Sequence, residues 1–202
     1  MLLSAERAVL LLVDFQQRLM PAIHDGDAVI ARAARLAEAA SLLDVPVLAT
    51  EQYPAGLGPT VEPLAGYPKS VLAKTSFSAA ADPGFAALLL SSGGTTPRTP
   101  RCAPDGSAIV SGALPPGTRE IVIGGCEAHV CVLQTALDLA GSQHRVILAA
   151  DATGSRDPAD RAAALDRAGR HGIEVVTSEM VLFEWLRDAK HPRFREVQRL
   201  LR

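Results

Sequence analysis

Short, wholly apolar runs alternate along this chain with longer stretches in which apolar residues recur every three or four positions. Residues 8–13 (AVLLLV) are uninterrupted hydrophobics that stop at Asp14, the pattern of a strand buried on both faces. Residues 28–43 follow with Ile30, Ala34, Ala37 and Leu42 on one face and Arg32, Arg35 and Glu38 on the other, an amphipathic helix with Asp27 as its N-cap. Further strands are predicted at 45–49 (VPVLA, with Pro46 near the start), 70–73, 120–123 (EIVI), 145–149 and 173–176 (IEVV). Helices are predicted at 83–90, 129–140, 158–171, 178–188 and 192–201. Asp157 is placed to cap the third of these and Pro158 to open it. Alternation of this kind predicts a parallel sheet of about six strands with helices on both faces, an α/β three-layer sandwich.

The 202 residues fall within the size of one domain, read here as spanning 1–202. Residues 91–118 break the rhythm with GG, TTPRTP, APDG and LPPG, and read as a turn-rich insertion with a small hairpin near 108–110. A net charge of −2 argues against a nucleic-acid partner, which calls for a basic face. The first fifteen residues have no basic stretch ahead of their apolar run, which Asp14 ends well short of a membrane span. Three cysteines, none in a CxxC pair, fit reduced thiols. The expectation is a soluble, cytoplasmic protein with no membrane partner.

In open parallel sheets ligands sit beyond the carboxyl ends of the strands. The residues there are Asp14, Phe15 and Gln16; Glu51, Gln52 and Tyr53; Lys74; the segment 124–131; and Asp151. Asp14, Lys74 and Cys131 belong together chemically. An ordinary thiol is only about 3% thiolate at pH 7. A helix N-terminus and a neighbouring ammonium would both lower the pKa of Cys131 and favour the anion, leaving Asp14 to accept and return a proton. Phe15, Gln52, Tyr53, Leu57 and Phe77 are candidates to line a substrate pocket, Phe15 and Phe77 equally readable as core. His129, two residues before Cys131, cannot face it on a helix and reads as a capping or surface residue. Asp151 reads as a loop anchor, and Gly124-Gly125 lacks the spacing of a dinucleotide fingerprint.

The segments LLVDFQ (11–16), AKTSFS (73–78) and GGCEAHVCVLQTALDL (124–139), in this order, resemble the isochorismatase-like cysteine hydrolases. TEQYPAGLGPT (50–60), SRDPADRAAAL (155–165), TSEMVLFEWL (177–186) and HPRFREVQRLL (191–201) are similar, more narrowly, to isochorismatase domain-containing proteins. The resemblance spans nearly everything except 91–118. It implies Asp14 as proton acceptor, Lys74 as the lysine of a triad and Cys131 as nucleophile, with Cys126 a core thiol. It also implies a cis peptide between Cys126 and Glu127 that aims the Glu127 N–H, with that of Cys131, at a developing oxyanion. Self-association is a further implication. Nicotinamidases of this family hold a metal after the second strand through an Asp and histidines. This chain has TEQYPAGLG there, so no metal and no cofactor are expected. The expected activity is hydrolysis of a small amide, or another C–N or ester bond, through a Cys131 thioester. A binding or scaffolding protein on the same fold is the alternative.

Overall fold

Six strands form one sheet in the order β3-β2-β1-β4-β5-β6, every pair parallel. The strands are β1 (Ala8–Val13), β2 (Val47–Gln52), β3 (Ser70–Lys74), β4 (Glu120–Cys126), β5 (Arg145–Gly154) and β6 (Glu174–Val176). The computed structural model describes residues 1–91 and 119–201, so Cys102 and the hairpin expected near 108–110 lie outside the described residues. Strand alternation divides the core. Leu10 and Leu12 face one side with Val47, Ala49, Val122 and Ile147, and Val9, Leu11 and Val13 face the other with Leu48, Ile121, Ile123 and Leu148. Leu10, Leu11 and Leu12 are all buried, each contributing roughly 1.5–3 kcal/mol.

The first face is covered by α1 (Gly26–Leu42) and α7 (Ser178–Leu186), with shorter helices α3 (Glu62–Ala65) and α8 (Phe194–Arg199) beside them. The second face carries α4 (Phe85–Ser91), α5 (Leu133–Ala140) and α6 (Pro158–Arg170). A one-turn helix α2 (Pro54–Leu57) follows β2. The expected three-layer α/β sandwich is therefore the fold. No helix among the described residues is long and apolar enough to cross a membrane.

Among the boundaries that differ from expectation, three do so for a clear local reason. Helix α1 starts at Gly26, not 28, because a 3-10 turn at Met20–Ala22 leads into it and Asp25 takes a left-handed conformation (φ 51°) as N-cap. Asp27 thus lies in the first turn, where its charge favours the helix dipole without capping. Strand β5 runs on to Gly154. After a register shift it pairs again with β4 at Thr153 and Gly154, which the break at Asp151 conceals in the sequence. The helix expected at 129–140 opens with a π-helical turn, Ala128–Val132, before α5. Asp157 does cap α6, accepting a hydrogen bond from Ala159 N at 2.8 Å.

The sheet changes direction of growth between β1 and β4, the switch point where such folds bind ligands. The two strands meet there through Gly125, which faces Val13 and leaves no room for a side chain. A Cβ at Gly125 would stand 2.3 Å from the Val13 carbonyl oxygen. Asp14 follows at once, with its backbone in the left-handed region (φ 55°) that Asp tolerates better than most residues.

Candidate active site

Asp14, Lys74 and Cys131 arrive from three elements: the end of β1, the last residue of β3 and the π-helical turn after β4. All three are buried, with Asp14 at 0% and Lys74 at 2% exposure, so neither charge has water to neutralise it. Each must be met by the other. The Lys74 ammonium donates to Asp14 Oδ2 at 2.8 Å, and Asp14 Oδ1 accepts from Thr50 Oγ1 at 2.6 Å. Lys74 Nζ also donates to Gln52 Oε1 at 2.7 Å and to the Ser76 and Phe77 carbonyls at 3.3 and 3.2 Å. The Cys131 Sγ stands 4.0 Å from Gln52 Oε1, and Asp14 and Lys74 are near enough for both charges to act on it.

The thiol is not held as an anion. Burial pushes its pKa up, the Asp14 carboxylate adds to that, and the opposing pull of Lys74 leaves it at about 12. This corrects the expectation of a resting thiolate. The lysine beside the sulfur already neutralises Asp14, and the helix end cannot offset removal from water. Cys126 is fully buried, and desolvation raises its thiol likewise to about 12, as befits a core residue.

The Cys126–Glu127 peptide is cis, as the resemblance implies. The Glu127 carboxylate accepts from the Arg156 backbone N–H and Nε, both at 3.0 Å. Desolvation pushes the Glu127 carboxyl up, but these hydrogen bonds and the Arg156 charge outweigh it and lower its pKa. His129 lies between Ser155 Oγ (3.0 Å from Nδ1) and Asp160 (3.5 Å from Nε2), a bridging role on the far side of the turn. Asp151 accepts from the Ser178 N–H and hydroxyl, anchoring the start of α7.

The other candidates separate. Phe15 is 1% exposed and packs in the core on the α1 side, whereas Cys131 belongs to the opposite core. The left-handed backbone at Asp14 breaks the alternation that would have set Phe15 beside Val13, and Phe15 takes the core role considered for it. Tyr53 and Phe77 are exposed and Leu57 is half-buried. Glu51 accepts from Thr60 N and Oγ1 at 2.7 and 2.8 Å, which commits it to closing the loop after β2. Thr50, the donor to Asp14, was not singled out from sequence, and buried Gln16, named among the strand-end residues, was given no role. Gln16 Oε1 accepts from Gln52 N (2.8 Å), and its Nε2 donates to the carbonyls of Gln52 (3.1 Å) and Gly58 (2.6 Å). The available signal was position alone: Gln16 follows the end of β1, and Thr50 lies in β2 opposite Val13, the last residue of β1. A groove of about 510 Å³ between the 3-10 turn, α1 and α3 touches none of Asp14, Lys74 and Cys131. Its lining mixes Met20, Ile23, Ile30 and Val61 with Gln17, Asp27 and Glu62.

The model of the isochorismatase domain matches residues 8–96 and 114–180 of this chain. The chain belongs to the isochorismatase family. The interval that the family model skips falls inside the turn-rich stretch 91–118. Isochorismatase domain-containing protein 1 of Danio rerio is 39% identical over 202 residues, 99% of this chain and 62% of that protein. The chain thus spans about three fifths of that relative's length. Isochorismatase domain-containing protein 2 of Xenopus laevis is 37% identical over 98% of this chain and 85% of its own length. Among solved structures, the MAR1 ribonuclease of Caenorhabditis elegans is similar with a TM-score of 0.81 and 29% identity, covering 100% of this chain and 92% of that one. The isochorismatase-family hydrolase fold is common to them.

Proposed function

We propose that the chain is a metal-independent cysteine hydrolase that cleaves a small amide, or a related C–N or ester bond, through a thioester on Cys131. The observation that carries this reading is the buried Asp14–Lys74 pair, joined at 2.8 Å, with both charges acting on the neighbouring Cys131 thiol. Asp14 takes the thiol proton as sulfur attacks the substrate carbonyl carbon. The N–H groups of Glu127 and Cys131 receive the developing oxyanion. The C–N bond breaks, and Asp14 returns its proton to the departing amine, leaving the acyl group on sulfur. Water then attacks the thioester, giving a proton to Asp14. The C–S bond breaks, and that proton goes back to sulfur as the carboxylic acid leaves. Lys74 stays charged throughout, balancing whichever of Asp14 or Cys131 carries the negative charge. Tyr53, Leu57 and Phe77 form the walls met by the substrate. The commitment of Glu51 to Thr60 supports a reaction without metal, since no other carboxylate or imidazole stands in residues 50–60.

The test is a panel of small amides and esters, with a single-stranded RNA included because of the nuclease-named relative, assayed with wild type and Cys131→Ala. Amide or ester hydrolysis that disappears in the variant supports the proposal. RNA cleavage that survives in Cys131→Ala, with no amide or ester turned over, overturns it. Self-association in a cytoplasmic setting is the companion proposal. Val71 and Phe77, 49% and 54% exposed, lie on or just after β3, the terminal strand of the sheet among the described residues. Sedimentation is expected to show a dimer or larger species, and a monomer at micromolar concentration would contradict it.

A further inference from the structure

We propose that Gln52 is a positioning residue that holds the Lys74 ammonium on the Asp14 side of the site, away from the Cys131 sulfur. This deepens the cysteine-hydrolase reading and rests on it. An ammonium has three N–H groups. Here one goes to Asp14 at 2.8 Å, one to Gln52 Oε1 at 2.7 Å, and the third is left for the Ser76 and Phe77 carbonyls at 3.3 and 3.2 Å. Gln52 takes the shortest of these bonds. The same oxygen stands 4.0 Å from Cys131 Sγ, so the negative end of the amide dipole faces the sulfur. An acceptor at that place favours S–H over a thiolate, and the N–H it engages is withheld from the thiolate.

The amide has no freedom to turn over. Gln52 Nε2 donates to the Thr75 carbonyl at 2.7 Å, which only the NH₂ end can do, so Oε1 must face Lys74. The main chain at Gln52 is fixed independently of its side chain. Gln16, wholly buried, grips both the N–H and the carbonyl of Gln52 and carries the Gly58 carbonyl as well. Exchanging the side chain at 52 therefore leaves this bracket standing. Both ends of the Gln52 amide are committed to protein partners, which sets it apart from Tyr53, Leu57 and Phe77 as a candidate substrate contact.

The test is iodoacetamide alkylation of the full chain over about pH 6 to 10, following the Cys131 peptide by mass spectrometry. Wild type, Gln52→Met and Gln52→Glu are compared, with Asp14→Asn as the control on the site itself. Gln52→Met removes the acceptor and releases an ammonium N–H to the sulfur, so alkylation is expected about tenfold faster at a given pH. Gln52→Glu places a negative charge there, and alkylation is expected about tenfold slower, both changes being read as rates at fixed pH. Opposite signs are the signature, because simple loosening of the fold speeds both variants. Equal direction in the two, or rates matching wild type while Asp14→Asn differs, overturns the role of Gln52 alone. Rates unchanged in all three variants overturn both this inference and the reading it rests on.

Discussion

Replacing Lys74 by methionine is expected to cost about 3–5 kcal/mol of folding stability, because it leaves the Asp14 carboxylate buried without its counter-charge. Both side chains are completely hidden from solvent in the folded chain, and the pair is joined at 2.8 Å. The Thr50 hydroxyl, at 2.6 Å, would remain as a hydrogen-bond donor to Asp14 but brings no positive charge. Urea unfolding followed by circular dichroism measures the loss. Lys74→Met/Asp14→Asn is expected to regain most of it, since removing both charges abolishes the uncompensated one. Lys74→Met within 1 kcal/mol of wild type would mean that the pair is not buried as described.

Asp14→Asn has the second large effect, and its two readouts move in opposite directions. The thiol pKa lies near 12 because burial and then the Asp14 carboxylate raise it against the pull of Lys74. At pH 7 a thiol with that pKa is ionised to only about one part in 10⁵. Its alkylation rate should climb about tenfold per pH unit until the pH approaches 12. Removing the carboxylate leaves Lys74 unopposed, so the pKa falls and Cys131 should alkylate at least about tenfold faster at any pH below it. Hydrolysis should fall about 10²–10⁴-fold, since the group that carries the proton is gone. A variant that is slower in both assays would show that Asp14 acts on the fold and not on the proton.

Much of the architecture was legible because a strand buried on both faces writes itself as an unbroken apolar run, as residues 8–13 and 120–123 do. The catalytic candidates were legible for a related reason: a strand end facing a switch point collects polar residues that nothing in the core requires. Asp157-Pro158 was equally clear, a cap and a first-turn proline side by side. Asp25 was hidden, because its left-handed cap depends on the 3-10 turn ahead of it. Strand β5 was cut short because Asp151 looks like a stop, although the Asp151 carboxylate is turned to Ser178 and the chain pairs onward to Gly154. The sign of the thiol shift was also hidden. Proximity to a lysine and to a helix start can be guessed from order along the chain. The depth of burial that outweighs them, and the prior claim of Asp14 on that lysine, are properties of the packed site. Thr50 escaped, and Gln16 was named without a role, for the same reason: their partners are remote in the sequence.

The most direct test is to mix the full chain with a substrate from the amide and ester panel, quench in acid during turnover, and weigh the peptide that bears Cys131. The account predicts the mass of the acyl group on that peptide, absent after Cys131→Ala and discharged when turnover is allowed to finish. Steady hydrolysis with the Cys131 peptide unmodified, and the same rate in Cys131→Ala, would contradict it.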